Sequence, residues 1–304
     1  MSERIQDKPL NIWTKSAAIS IWFIPLLMVW IVPDMIDFPT WASMTVSGIA
    51  MGCLFFLMAI GLTITFGLMD VLNFAHGVFF TIGAFVAWRI FTLLIPDWVE
   101  AESFWINAAA ILLAIAATVI INFVLGMLME KYVFRQTYGD HLKQILITMG
   151  IWFIGEEVIR ILGLSENQAF FTPGWFAESF ELGDVLVLRY QVFSILMGLL
   201  FFVLIQWILN KTKIGLIVRA GVENPNMIKA MGYNLNKVFT GVFAAGAILA
   251  GIGGLMWAGY DENVNAEMGG YNLIFAFVIV IIAGPGSVKG ARLGAVMIGV
   301  FTNY

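Results

Sequence analysis

The sequence predicts an all-α, polytopic integral membrane bundle, and three observations carry that expectation. The first is composition: of 304 residues, 61% are hydrophobic and 12% charged, and the mean hydropathy is +0.91. Ordinary soluble chains are about 45–50% apolar and about 25% charged, and a globule of this size needs polar cover that this chain does not have. The second is a succession of charge-free runs long enough to cross a bilayer, which takes roughly 20 apolar residues. The third is the sorting of basic residues onto alternate loops. Together these exclude a soluble enzyme and a disordered chain, and the net charge of −4 argues against a nucleic-acid partner.

The runs place the spans in order. Span one is 16–33, behind a polar tail at 1–15, and no small-x-small cleavage site follows its apolar core, so it reads as a retained anchor. Span two lies within 38–69 and its run extends beyond it. Span three is 78–95, interrupted by Arg89. Spans four to six are 104–129, 145–163 and 190–210. Span five carries Glu156, Glu157 and Arg160 in its far half. Span seven, 238–260, is rich in Gly and Ala, which lets helix backbones approach. Span eight is 268–288. A ninth begins at 293 and stops after twelve residues, about 18 Å of helix, too short for a ~30 Å core. The expectation is eight full spans plus a partial ninth in one transmembrane domain, 1–304, truncated at its C-terminus.

Placing the N-terminus inside makes the orientation testable. The inside segments 1–15, 130–144, 211–237 and 289–292 then hold three, three, five and two Lys or Arg. The outside segments hold one, Arg189. Thirteen against one is a strong positive-inside signal, and it sets a cytoplasmic N-terminus. Trp41, Trp98, Trp105 and Trp175 stand near span ends, as interface aromatics do.

The chemistry-bearing motifs are few. Cys53 is a single cysteine in an apolar run, which excludes a disulfide scaffold. HExxH, GxSxG and Walker A patterns are absent. The Gly-rich stretch 284–290 lacks a Gly-Lys pair, so any ATP this protein uses must be held by another chain.

Three stretches break the helical pattern. The segment Gly67–Gly77 puts Asp70, Asn73 and His76 between two apolar runs with no proper loop. At a spacing of three they would lie along one drifting helix face, projecting together into a polar pathway; the other reading is a wetted interfacial turn. The segment 282–291 sets Pro285 between Gly284 and Gly286 and must end or kink span eight. The two breaks occupy corresponding places in the two halves, which points to a transport pathway. The third is the inside loop 211–237. Asn224 suits an N-cap, Pro225 the first helical position and Gly232 the position past the end, which predicts a helix over 225–231. Met227, Ile228 and Met231 share one face. Two turns are unstable alone, so that face docks on a partner, on the bundle or on anionic lipid. Among lesser features, Glu156 and Arg160 are four apart and are expected to pair, Arg89 needs a partner, and the polar loop 165–175 could receive one.

These residues resemble a known family. The run ending Asn73-Phe-Ala-His76-Gly77, followed by Ile82-Gly-Ala-Phe85, is similar to the first signature block of the branched-chain amino acid and urea type of ABC-transporter permease. Gly215, Arg219, Glu223, Asn224, Ala230 and Gly232 resemble that family's cytoplasmic loop. The stretch from Gly284 to Gly294 resembles its late Gly-rich block. The resemblance covers about residues 45–300. It implies a permease subunit in the bacterial inner membrane, with a second homologous permease, two ATPase subunits and an extracytoplasmic solute-binding protein as partners. Membrane lipid surrounds it, and ATP and Mg stay on the ATPases, with no cofactor on this chain. The expected pathway residues are Asp70, Asn73, His76, Gly77, Gly284 and Gly286. The expected ATPase-coupling residues are Arg219, Glu223, Asn224, Met227, Ile228 and Gly232. The competing reading is an ion-coupled secondary carrier working through Asp70 or Glu157. A membrane hydrolase would have only His76 as an intramembrane base.

Overall fold

A computed structural model describes residues 36–163, 166–223, 232, 234–284 and 286–304. Span 16–33, the tail before it and the helix expected at 225–231 lie outside the described residues. Among the described residues the regular structure is helical except for two small two-stranded sheets. Five of its helices are long and apolar enough to cross a membrane. This is an all-α polytopic membrane protein.

Helix α1 (Phe38–Met69) runs 32 residues unbroken, about 48 Å at 1.5 Å per residue. The Asp37 side chain caps its start by accepting from the Thr40 N–H at 3.2 Å. After a break come α2 (His76–Arg89), a π-helical turn (Ile90–Leu94) and the short α3 (Pro96–Glu100). Next are α4 (Phe104–Tyr132) and α5 (His141–Ile161), the latter capped by Asp140. A loop region holds β1 (Gln168–Ala169), α6 (Gly174–Ala177), β2 (Ser179–Leu182) and β3 (Val185–Leu188). Helices α7 (Arg189–Lys211), α8 (Lys213–Glu223) and α9 (Leu235–Asp261) follow. Then come β4 (Asn263–Val264), α10 (Met268–Ala283) and α11 (Val288–Asn303). β2 and β3 form a hairpin, and β1 pairs antiparallel with β4. Both sheets fall in segments that the charge count assigns outside.

The last boundary differs from expectation. Span eight ends at Ala283, short of its run's limit at 288, because Gly284 turns to φ 80° and ends α10. Ser287 then caps α11, its Oγ accepting from the Gly290 N–H at 3.2 Å, so Val288 opens the final helix and does not close the previous one.

Helices α1 and α9 form the centre. Their most apolar stretches are 78% and 72% buried, against 28% for α4 and 17% for α7. Helix α9 packs on α1, α2 and α4, and α11 packs along α1. The contacts are backbone to backbone: a Cβ built on Gly83 would stand 1.9 Å from the Gly251 carbonyl oxygen. Lipid tails are as apolar as leucine, so helices associate in them through such close packing.

Candidate functional site

The first break is real but not helical. Asp70 adopts φ 51°, ψ 42°, and its N–H closes α1 on the Phe66 carbonyl at 3.0 Å. The chain then runs irregularly to Ala75, which leads into α2 at His76. Helical spacing therefore does not apply here, and Asp70, Asn73 and His76 do not project together as expected. The Asp70 carboxylate is 76% exposed and lies 3.4 Å from His141 Nε2 at the start of α5. His76 is buried, with Nε2 at 3.2 Å from the Met58 carbonyl of α1. Asn73 is fully buried, and neither Oδ1 nor Nδ2 finds a hydrogen-bond partner among the described residues. A buried amide left so costs a few kcal/mol.

Gly77 serves a helix crossing. A Cβ on it would stand 2.6 Å from the Gly269 carbonyl oxygen of α10. Thr81 Oγ1 locks the same crossing by accepting from the Gly269 N–H at 3.1 Å.

The second break packs on the end of α1. Gly284 and Gly286 take φ 80° and 76°, the left-handed region that favours glycine. The Gly286 N–H donates to the Thr63 carbonyl at 3.1 Å, so the turn after α10 rests on the last two turns of α1. Both interruptions thus adjoin the last two turns of α1, the second through Gly286 and the first directly after Met69.

The expected coupling residues are only partly within the described chain. Arg219 lies exposed on α8, its Nη1 donating to Asn210 Oδ1 at 3.3 Å. Glu223 is the last residue of α8. Gly232 takes φ 84°, the left-handed state a position past a helix end favours. Asn224, Met227 and Ile228 lie outside the described residues. Helix α8 itself was missed by the sequence reading. Its signal is Thr212, whose Oγ1 accepts from the Gly215 N–H at 3.2 Å, ahead of Ile214, Ile217 and Val218 at helical spacing.

A second missed feature is a polar network next to α9. Glu130 is fully buried and accepts from Arg135 Nε and Nη2 at 3.1 and 3.2 Å, from Tyr138 at 3.0 Å and from Thr240 Oγ1 at 2.5 Å. Bidentate charge-assisted bonds of this kind are strong. Burial and then the neighbouring Glu130 carboxylate hold the Tyr138 hydroxyl above the usual phenol range. The network ties the end of α4 to the start of α9, the helix that follows the 211–237 loop.

The family model for the permease component of branched-chain amino acid transport systems matches residues 44–304. The chain belongs to this permease family. It is 26% identical over 265 residues to the high-affinity branched-chain amino acid permease BraD of Pseudomonas aeruginosa, covering 84% of this chain and 83% of BraD. To LivH of Salmonella typhimurium it is 24% identical over 258 residues, covering 84% and 82%. The fructose import permease FrcC of Rhizobium meliloti shares 23% over 176 residues, 53% of this chain and 47% of FrcC. No solved structure matches.

At the opposite end of the permease, the charges of α5 pair differently from expectation. Arg160 donates to Glu157 at 2.7 Å and to Glu267 at 3.1 Å, and Glu156 instead accepts from Trp152 Nε1 at 2.6 Å. Glu157 and the acid at the N-cap of α10, Glu267, outcompete the i,i+4 partner. Arg89 donates to the Leu162 carbonyl and stacks on Phe85 and Trp88.

Proposed function

We propose that this permease is the membrane subunit of an ATP-driven importer of a small polar solute, branched-chain amino acids first, with a related amino acid, urea or a short amide as the wider class. Its partners are a second homologous permease, two ABC ATPase subunits and an extracytoplasmic solute-binding protein. ATP and Mg sit on the ATPases, and this chain holds no cofactor and does no chemistry of its own. It lies in the bacterial inner membrane with its N-terminus inside, eight spans and a partial ninth.

The observation that carries the reading is the family match over residues 44–304, together with two helix interruptions that both adjoin the end of α1. Non-helical backbone at membrane depth is tolerated where protein buries it or where it lines a cavity, and discontinuous helices at corresponding places mark transporter pathways. Asp70, Asn73, His76, Gly77, Gly284 and Gly286 are assigned to the pathway and its hinge. Arg219, Glu223, Asn224, Met227, Ile228 and Gly232 are assigned to ATPase contact. The ion-coupled reading is the weaker one. Asp70 and Glu157, its coupling candidates, are exposed and paired with His141 and Arg160, whereas intramembrane coupling acids face the bundle interior.

Co-purification tests the partnership. An affinity-tagged permease retains an ATPase from the same operon, and Met227→Asp with Ile228→Asp releases it while the permease stays monodisperse. Retention unaffected by both changes would contradict the assigned docking face.

A further inference from the structure

One cavity in the described chain lies away from the interrupted segments. It is a groove of about 590 Å³ between α4 and α7. Its walls are Ile111, Ile115, Leu196 and Met197, and Trp175 and Phe176 of α6 roof one end. Of its thirteen lining residues, Arg189 alone is charged.

The groove is a built feature. Buried Asn107 clamps the roof: its Nδ2 donates to the Trp98 carbonyl at 2.6 Å and its Oδ1 accepts from the Trp175 N–H at 2.7 Å. Phe104 packs edge-on against Trp175 and Phe176 against Phe193, both at 4.8 Å between centroids. Arg189 stacks over Trp175 at 4.6 Å, and its Nη1 reaches Glu178 and the Trp175 carbonyl. Among the described residues its Nε and Nη2 donate to no protein group, which leaves N–H donors at the rim.

What fills such a space follows from its setting. At about 30 Å³ each, roughly twenty waters would fit, yet the walls offer them almost no partners. The two walls belong to the least buried of the five long apolar helices, so the groove opens sideways to hydrocarbon. It sits at the end of the bundle where Trp98, Trp105, Trp175 and Arg189 gather, the level of the lipid headgroups.

We propose that this groove is a phospholipid site, with one acyl chain lying between α4 and α7 and the headgroup phosphate held by Arg189. The arginine fork matches phosphate geometry. The site stands independently of the transport reading and needs only that the chain is embedded in a bilayer.

The test uses the full chain in nanodiscs of phosphatidylethanolamine and phosphatidylglycerol, a fraction of each carrying a diazirine on one acyl chain. After irradiation, peptide mass spectrometry maps the adducts. The half-buried floor residues Ile115 and Met197 should be labelled alongside the lipid-facing Val203 and Leu204. Leu112→Trp with Leu196→Trp, which fills the groove, should cut floor adducts at least fivefold and leave Val203 unchanged. Arg189→Gln should reduce floor labelling severalfold, and Arg189→Lys should restore it. An unlabelled floor beside a labelled Val203 in the wild-type protein would overturn the proposal, since the groove would then be shut or covered by protein. Floor labelling indifferent to Arg189→Gln would overturn it too, because the headgroup anchor would be absent.

Discussion

The Gly286 N–H lies 3.1 Å from the Thr63 carbonyl oxygen, and through this bond the turn between α10 and α11 is fastened to α1 just before α1 itself ends at Asp70. A helix carbonyl has a second lone pair, so α1 need not lose a bond to accept it. The contact depends on left-handed backbone at Gly284 and Gly286, which gives it a sequence requirement that can be tested.

Replacing Gly286 by alanine forces a Cβ into the left-handed region at a cost of roughly 1–2 kcal/mol. Thermal unfolding of the purified permease should show a lower midpoint for Gly286→Ala and for Gly284→Ala. Gly241→Ala should be neutral or better, since Gly241 lies within α9 and meets nothing within 4 Å.

Asn73 separates stability from function. Among the described residues its buried amide bonds to nothing, so Asn73→Leu removes an unmet desolvation cost. The variant should unfold at the same temperature as wild type or higher, while solute uptake falls at least tenfold. A variant that loses stability and keeps uptake would place Asn73 in the packing alone.

Glu130→Gln should destabilise by roughly 2–3 kcal/mol, the scale of hydrogen bonds to a charged group. It should also loosen the start of α9, seen as faster hydrogen exchange over residues 234–242. Combined with Arg135→Gln, the loss should be less than additive, because both changes break one network.

The α2–α9 crossing should be the least forgiving packing contact. Gly83→Val places a side chain where the Gly251 backbone already stands, and overpacking costs about 1–3 kcal/mol or more. Folded yield should collapse. Gly150→Ala on α5 meets nothing within 4 Å and should raise helix stability slightly.

The helices were legible because hydrocarbon demands long apolar runs with internally bonded backbone, and the run 38–69 became one helix with the same limits. The breaks were legible too, since Gly284 and Gly286 announce positive φ. What the breaks do with their side chains was not. Periodicity placed Asp70, Asn73 and His76 on a shared face, but the left-handed turn at Asp70 cancels the period: Asp70 meets His141, His76 meets the Met58 carbonyl, and the Asn73 amide meets no partner among the described residues. Long-range partners were equally hidden: Glu267 takes Arg160 from Glu156, and Thr240 joins Glu130 across 110 residues of chain. Such pairings depend on which helices pack together, and the order of apolar runs does not carry that information.

Energy coupling is the central claim, and uptake of radiolabelled leucine into proteoliposomes tests it most directly. The permease is reconstituted with its operon's second permease and ATPases, and the binding protein is supplied outside. The account predicts uptake that requires ATP inside the vesicle and disappears with Met227→Asp and Ile228→Asp. Full uptake by this chain alone, driven by a proton or sodium gradient without ATP, would contradict it.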